Sequence, residues 1–441
     1  MPLLHMDLAT QMGNEMKIEI LSIGNEILSG ATVDTNFVYL ASRLLEEGYQ
    51  VAFHEVIPDD PEIMKEVFQR ALQRSSIVIT TGGLGPTIDD RTRGVTADVF
   101  DKKLVLSEDV KEYLIKRYGK DLSTIDVQSM VPEDTKLLKN EVGVAPGFFY
   151  EGKSSMFVFP GVPSEMKAMF ENFALKEILT LLSNEKKMYS KSMYLCHVSE
   201  HMVDPYLRDL DRAYPDVEKG IYPGYGVLSI SFKVKESSEK KAMGILDNCI
   251  EAIAEKFYTH VYSTEDKDIA LAVHTHMTKH NLTLATAESC TGGNIAAKIT
   301  EIPGASNYFL GSIVSYSNQM KESVLKVRKQ TLDAFGAVSE ETVKEMLEGV
   351  MEISGADYVM AVTGIAGPAG GTPKKPVGLV YCGLMKKGEE PHIAKILAKG
   401  AAKRHLVIEY TSNFMLGTLY RKVVYDITPF SNVKTSIPVS R

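Results

Sequence analysis

Three glycine-rich segments each follow an apolar run and carry side chains that could do chemistry. The first is Thr81-Gly-Gly-Leu-Gly-Pro-Thr-Ile-Asp-Asp-Arg-Thr92. Gly82, Gly83 and Gly85 leave the backbone bare, so its N–H groups can come close to an anion, with Thr87 alongside. Asp89 and Asp90 suit a hard divalent cation that bridges ligand phosphates. The same two acids also read as the opening of the next helix, where negative charge is favoured. Two more segments could complete such a site. Gly24-Asn-Glu26 follows the first strand, with Asp34 shortly after, and Pro160-Gly-Val-Pro-Ser-Glu165 follows another. In the latter, Ser164 and Glu165 also fit a helix cap and first turn.

The second segment is Ser289-Cys-Thr-Gly-Gly293. A serine at a strand-to-helix turn sits near free N–H groups that stabilise an oxyanion or bind a phosphate; Gly292 and Gly293 would let substrate approach. A helix cap is the alternative reading. A nucleophilic serine needs a base, and no histidine lies in the C-terminal glycine-rich loops. Lys321, with Tyr316 in the same SYSNQMK stretch, can serve if burial lowers its pKa; a solvated helix lysine is the alternative. Cys290 is a rival nucleophile whose thiol stays protonated without a positive neighbour. The third segment, Thr363 to Thr372, contributes Gly364 and Gly367 and continues to Gly378. Five glycines over 364–378 suggest backbone packed on a ligand, or a flexible surface loop.

The elements that must position these loops alternate. Residues 16–23 and 75–81 read as strands around a strand at 49–57, with helices over 35–47 and 61–74. This is the pattern of a parallel α/β sheet, whose sites lie beyond the carboxyl ends of its strands. A block over 175–264 gives strands 191–200 and 226–236 with helices 200–213 and 239–256. It reads as a small α+β connector. From 265 a second α/β pattern runs to 427, through strands at 282–288, 308–317, 356–364, 376–385 and 392–400 and a last helix over 403–420. The fold class is therefore two three-layer α/β domains with parallel-rich sheets, over 16–174 and 265–427, joined by the connector. Residues 1–15 read as a loose extension and 428–441 as a disordered tail.

Composition narrows the function. The 441 residues carry 49 Lys plus Arg against 57 Asp plus Glu, a net charge of −8. That argues against a nucleic-acid partner, because such binding rests on neutralising phosphates. No 18-residue apolar stretch suggests a membrane span, and no secretory signal is visible. Four separated cysteines fit a reducing, cytoplasmic setting rather than disulfides or zinc. His276 and His280 have metal-compatible spacing, but an exposed helix face explains them.

GNEILSG with DTN, TTGGLGPTIDD, NEVGVAPGF and PGVPSEM together resemble the molybdopterin-binding-like domain of the CinA family, similar to MoaB/MogA-type folds. AESCTGG, GSIVSYSNQMK, GAVSEE, TGIAGPAGGT and KPVG resemble that family's C-terminal, PncC-type amidohydrolase domain. The resemblance implies two activities. One is metal-dependent ADP-ribose pyrophosphatase in the N-terminal domain, with Glu26, Asp34, Glu165 and the 82–87 loop around the ligand. Asp89 and Asp90 would hold a divalent cation of magnesium or cobalt type, with room for potassium beside it. The other is deamidation of nicotinamide mononucleotide (NMN) in the C-terminal domain, without a cofactor. There Ser289 attacks the carboxamide, Lys321 takes its proton and Tyr316 assists. Ser306 and Thr363 orient groups, and Arg404 meets the substrate phosphate. The usual Gly-Asp-Arg segment reads Gly400-Ala-Ala-Lys-Arg404 here, which puts substrate affinity in question more than chemistry. The family implies a homodimer. Two rival readings are a competence- or damage-associated nucleotide- or pterin-binding protein with vestigial catalysis, and a molybdopterin adenylyltransferase-like N-terminal domain.

Overall fold

A computed structural model describes residues 16–87, 89–119, 124–399, 403–433 and 436–438. The expected extension at 1–15 and the Gly400–Lys403 departure, apart from Lys403, lie outside these residues. The chain divides into two compact units, one up to Met188 with Lys235–Ser237, the other Tyr189–Val234 with the chain from Ser238.

The first unit is built on a six-stranded sheet. Ile18–Ile23 pairs in parallel with Val51–Ile57 and Ile77–Thr81, and Ile77–Thr81 pairs in parallel with Ser155–Phe159. Gly147–Tyr150 and Lys136–Leu138 extend it antiparallel. The central strands are buried on both faces. Ile18, Ile20, Ile77 and Ile79 enter one core, while Leu21, Ile23 and Val78 enter another. This is the period-two alternation of a sheet covered by helices on both sides. The helix Leu175–Leu181 buries Leu175 and Ile178 in the first of these cores. The unit therefore runs past 174, where a boundary was expected.

In the second unit the connector segment forms a four-stranded sheet, which includes an unforeseen strand Glu218–Pro223. The remainder is a six-stranded mixed sheet. Leu284–Glu288 is flanked in parallel by Phe309–Val314 and Tyr358–Gly364. Leu379–Lys386 and His392–Lys399 then add antiparallel. The helix Glu340–Ser354 covers one face, through Val343, Met346 and Leu347. The helices Ile269–Lys279 and Arg404–Tyr425 cover the other. Both large sheets thus mix parallel and antiparallel pairs, with the parallel strands running from one edge to the centre and the antiparallel ones beyond it. The tail was expected to be disordered, yet Ser436–Pro438 pairs in parallel with the free edge of His392–Lys399. An open edge offers unpaired backbone groups to any nearby strand, a requirement that leaves no mark in side-chain pattern.

Candidate functional site

The Leu284–Glu288 strand runs directly into Ser289. Its parallel neighbour delivers Ser315, Tyr316 and then Lys321 at the same end of the sheet. Lys321 lies in the short helix Asn318–Ser323, capped by Ser317, whose Oγ accepts the Met320 N–H at 3.1 Å. This turn swings the lysine inward. Its Nζ donates to Ser289 Oγ at 2.9 Å and to the Ser315 carbonyl at 2.6 Å. Lys321 is only 1 % exposed. Burial, which disfavours the ammonium, lowers its pKa from 10.5 to about 8. No carboxylate opposes that shift, so the amine reaches its neutral, proton-accepting form near physiological pH. Burial also pushes the Cys290 thiol up to about 12, so it stays protonated and is a poor rival to the Ser289 hydroxyl as a nucleophile.

A cavity of about 250 Å³ opens on this pair. Thr363, Gly364 and Gly367 line it from the third glycine-rich loop, and Tyr316 and Arg404 stand at its edge. Arg404 donates to the Tyr316 hydroxyl at 2.5 Å and to the Gly367 carbonyl at 3.2 Å. Tyr316 is therefore tied to the arginine, with no direct contact to Ser289 or Lys321 among the described bonds. Thr363 Oγ1 donates to the Ala337 carbonyl at 2.7 Å, so it holds the wall rather than offering a free donor.

Three expectations are corrected here. Ser306 is exposed, in a short 3-10 turn before Phe309–Val314. That strand is parallel to Leu284–Glu288, so Ser306 lies at the opposite end of the sheet from Ser289. Gly292 and Gly293 do not line the Ser289 cavity but a neighbouring one. The N-terminus of the following helix is also not free. The buried Glu288 carboxylate accepts N–H groups of Gly293, Ile295 and Ala296 at 2.9–3.1 Å. Its sequence signal was a single charge at the end of an otherwise apolar strand. Lys375 was also missed. Its Nζ donates to the carbonyls of Phe335 and Val338, at 2.6 and 2.7 Å, and straps the third loop to the cavity's other wall.

In the first unit a cavity of about 370 Å³ gathers Gly82, Gly83, Gly85, Glu26, Asp89, Asp90 and Glu165, together with Asp59. Gly82 has φ +119°, and a Cβ there would lie 2.2 Å from the Ile23 carbonyl, so only glycine lets the first and third strand ends meet. Asn36, which was not singled out, donates to Thr81 Oγ1 and to the Gly161 carbonyl, both at 2.8 Å, and binds the loops together. Asp34 is not at the cavity. It caps Thr35–Glu46 through the Phe37 N–H and faces His54 Nε2 at 3.2 Å. Asp89 and Asp90 do not open a helix either: Thr92–Val99 starts after them. Instead Thr87 donates its N–H and hydroxyl to Asp90, clasping the turn, and Thr87 is not at the cavity wall. Hydrogen bonding from Thr87 lowers the Asp89 pKa, which keeps that carboxyl ionised.

Among the described residues no three His, Cys, Asp or Glu side chains form a ready metal-binding group. Magnesium commonly takes only one or two carboxylates, with waters and substrate phosphates completing its shell. The Asp89–Asp90 turn fits that partial donor set and not an all-protein cage. His276 packs edge-on to Tyr420 and is half-buried, not simply part of an exposed face. All four cysteines are free and buried. Among the described residues no helix is long and apolar enough to cross a membrane.

Two domain families match the chain in order. One is described as a probable molybdopterin binding domain, over residues 19–180, and the other as the CinA C-terminal domain, over 266–423. A CinA-like protein of Dictyoglomus thermophilum is 37% identical over 380 residues, covering 85% of this chain and 92% of that protein. A CinA-like protein of Dictyoglomus turgidum is 36% identical over 382 residues, with the same coverage. Among solved structures, the competence/damage inducible protein CihA of Agrobacterium tumefaciens is 38% identical, covering 36% of this chain and 96% of its own, with a TM-score of 0.34. On the near full-length identity to these relatives, the chain belongs to the CinA family.

Proposed function

We propose that the second unit hydrolyses a carboxamide, that of NMN, to the carboxylate and ammonia. The observation that carries this reading is the buried Lys321 amine 2.9 Å from Ser289 Oγ, with its pKa lowered to about 8. In its neutral form the amine takes the hydroxyl proton as Ser289 Oγ attacks the carboxamide carbon. It then returns that proton to the departing nitrogen, and ammonia leaves an ester on Ser289. Water attacks the ester, again giving its proton to Lys321, which returns it to Ser289 Oγ as the C–O bond breaks to release the acid and restore the hydroxyl. Arg404 suits the substrate phosphate and Tyr316 orients the arginine. Thr363 and Lys375 hold the walls. Positioned proton transfer of this kind is worth about 10²–10⁴-fold.

For the first unit we propose hydrolysis of the diphosphate of ADP-ribose. The glycine backbone at 82–85 suits the phosphates, with Glu26 and Glu165 at the cavity margin. Asp89 and Asp90 would hold a divalent cation, which supplies charge neutralisation and a more acidic water when bound. The test for both is a substrate panel on the full-length protein. Ammonia release from NMN, and no more than trace release from free nicotinamide, is expected. In the presence of magnesium or cobalt, ADP-ribose should yield AMP and ribose phosphate. Absence of ammonia overturns the first reading, and intact ADP-ribose overturns the second.

A further inference from the structure

The wall that carries Ser289 has a second side. Ser289 and Cys290 face the catalytic cavity, while Thr291, Gly292 and Gly293 line a separate cavity of about 610 Å³. The long C-terminal helix divides in the same way. Arg404 faces the catalytic cavity, whereas His405, Ile408 and Glu409 face the second. The last three are spaced i, i+3, i+4, one stripe of a helix. Tyr225 closes the cavity from the connector hairpin, where its carbonyl accepts Asn413 Nδ2 at 2.7 Å.

We propose that this second cavity is a binding site for an uncharged planar heteroaromatic ligand of the nucleobase or nucleoside class. Ile408, Ala297 and the bare backbone of Gly292 and Gly293 offer apolar walls suited to the faces of a ring; a Cβ on Gly292 would meet nothing within 4 Å. Tyr225 and His405 add aromatic edges. Glu409 Oε2, which takes only a long bond from Asn294 Nδ2 at 3.4 Å, offers an acceptor for an exocyclic amino group, while Asn294 Nδ2 is held on Ser412 Oγ at 2.8 Å. Thr291, 3 % exposed, contributes a hydroxyl that has no hydrogen-bond partner among the described residues. Lys298 is paired with Glu409 Oε1 at 2.5 Å, and among the described residues no lysine or arginine lines the cavity. A phosphate would meet the Glu409 carboxylate there without a lysine or arginine in the lining, which distinguishes this site from the two phosphate-suited cavities. Because the turn and the helix are shared, an occupant bears on the segments that hold Ser289 and Arg404. This coupling rests on the proposed amidohydrolase; the binding itself does not.

The probe is adenosine, titrated by calorimetry into the full-length protein with AMP as the charged comparison. Adenosine should bind with a dissociation constant below about 1 mM, and AMP more weakly. Ala297→Trp, an exposed position at the cavity rim, should abolish that binding while thermal stability is kept. Tyr225→Ala should weaken it. Saturating adenosine should shift NMN deamidation by a factor on the order of five, and NMN should not displace it. No adenosine binding, or binding indifferent to Ala297→Trp, overturns the site. Displacement of adenosine by NMN places it in the catalytic cavity and equally overturns the proposal. A protein that binds adenosine through this rim but releases no ammonia keeps the site and loses only the amidohydrolase.

Discussion

At the scale of single residues, the account turns on the state of Lys321. A folded pKa near 8 against about 10.4 in an unfolded chain has a defined sign. The folded protein binds that proton less well, so a penalty is fully present below pH 8 and fades as pH rises from 8 toward 10.4. The shift corresponds to about 3 kcal/mol at most, partly offset by the two hydrogen bonds the amine makes. Lys321→Met should therefore be at least as stable as wild type at pH 7, by up to about 3 kcal/mol, and should lose that advantage near pH 10. Urea denaturation at both pH values checks this, and a destabilised variant at pH 7 would contradict it. The same pKa would set the pH dependence of the proposed amidohydrolase. Ammonia release should climb about tenfold per pH unit below 8 and level off above it, as the neutral amine fills. A profile flat between pH 6 and 8 would exclude Lys321 as the base. Strand ends made Ser289 and Lys321 candidates, with a helix cap and a solvated lysine as the alternatives, and the family resemblance gave them their roles. Sequence alone could not supply the burial that makes the lysine a base, since that depends on which neighbours close over it.

At the scale of elements, strand ends explain which expectations failed. Ser306 was expected at the site only from the family resemblance; it precedes Phe309–Val314, which is parallel to Leu284–Glu288, so it lies at the end of the sheet away from Ser289. Loop composition likewise suggested an open helix terminus after Gly293, whereas Glu288, one residue before Ser289, fills it. Glu288→Gln should cost about 1–3 kcal/mol, because buried N–H groups lose a charged acceptor. Its effect on turnover should fall on kcat more than on KM, since the Ser289 turn moves and the phosphate end does not; steady-state kinetics with chemical denaturation decides. Lys375 acts on the other wall. Lys375→Met releases the strap to Phe335 and Val338, and KM for NMN should rise on the order of tenfold, with kcat less affected. An unchanged KM would mean the loop holds its shape without that lysine.

At the scale of the whole molecule, the two proposed activities have different requirements. In the proposed amidohydrolase the Ser289–Lys321 pair would move protons through its own side chains, whereas the Asp89–Asp90 turn offers too few donors to act without an added cation and ligand phosphates. Chelation with EDTA should abolish ADP-ribose hydrolysis and leave ammonia release intact. Asp89→Ala together with Asp90→Ala should reproduce that selectivity. Loss of both activities on chelation would contradict the assignment. The alternation of apolar strands and helices made the two α/β blocks legible in the sequence. The antiparallel outer strands, the edge-pairing tail segment and the extent of the first unit were not legible, because backbone pairing and core sharing between distant segments leave no local pattern. The net charge of −8 directs attention to local features, since glycine backbone and single arginines are what could receive an anionic nucleotide here. The most direct test of the central claim is ammonia release from NMN at pH 8, measured side by side for wild type and Ser289→Ala. The account predicts steady release by wild type and a loss of at least about 10³-fold in the variant. Equal rates in the two proteins would contradict it.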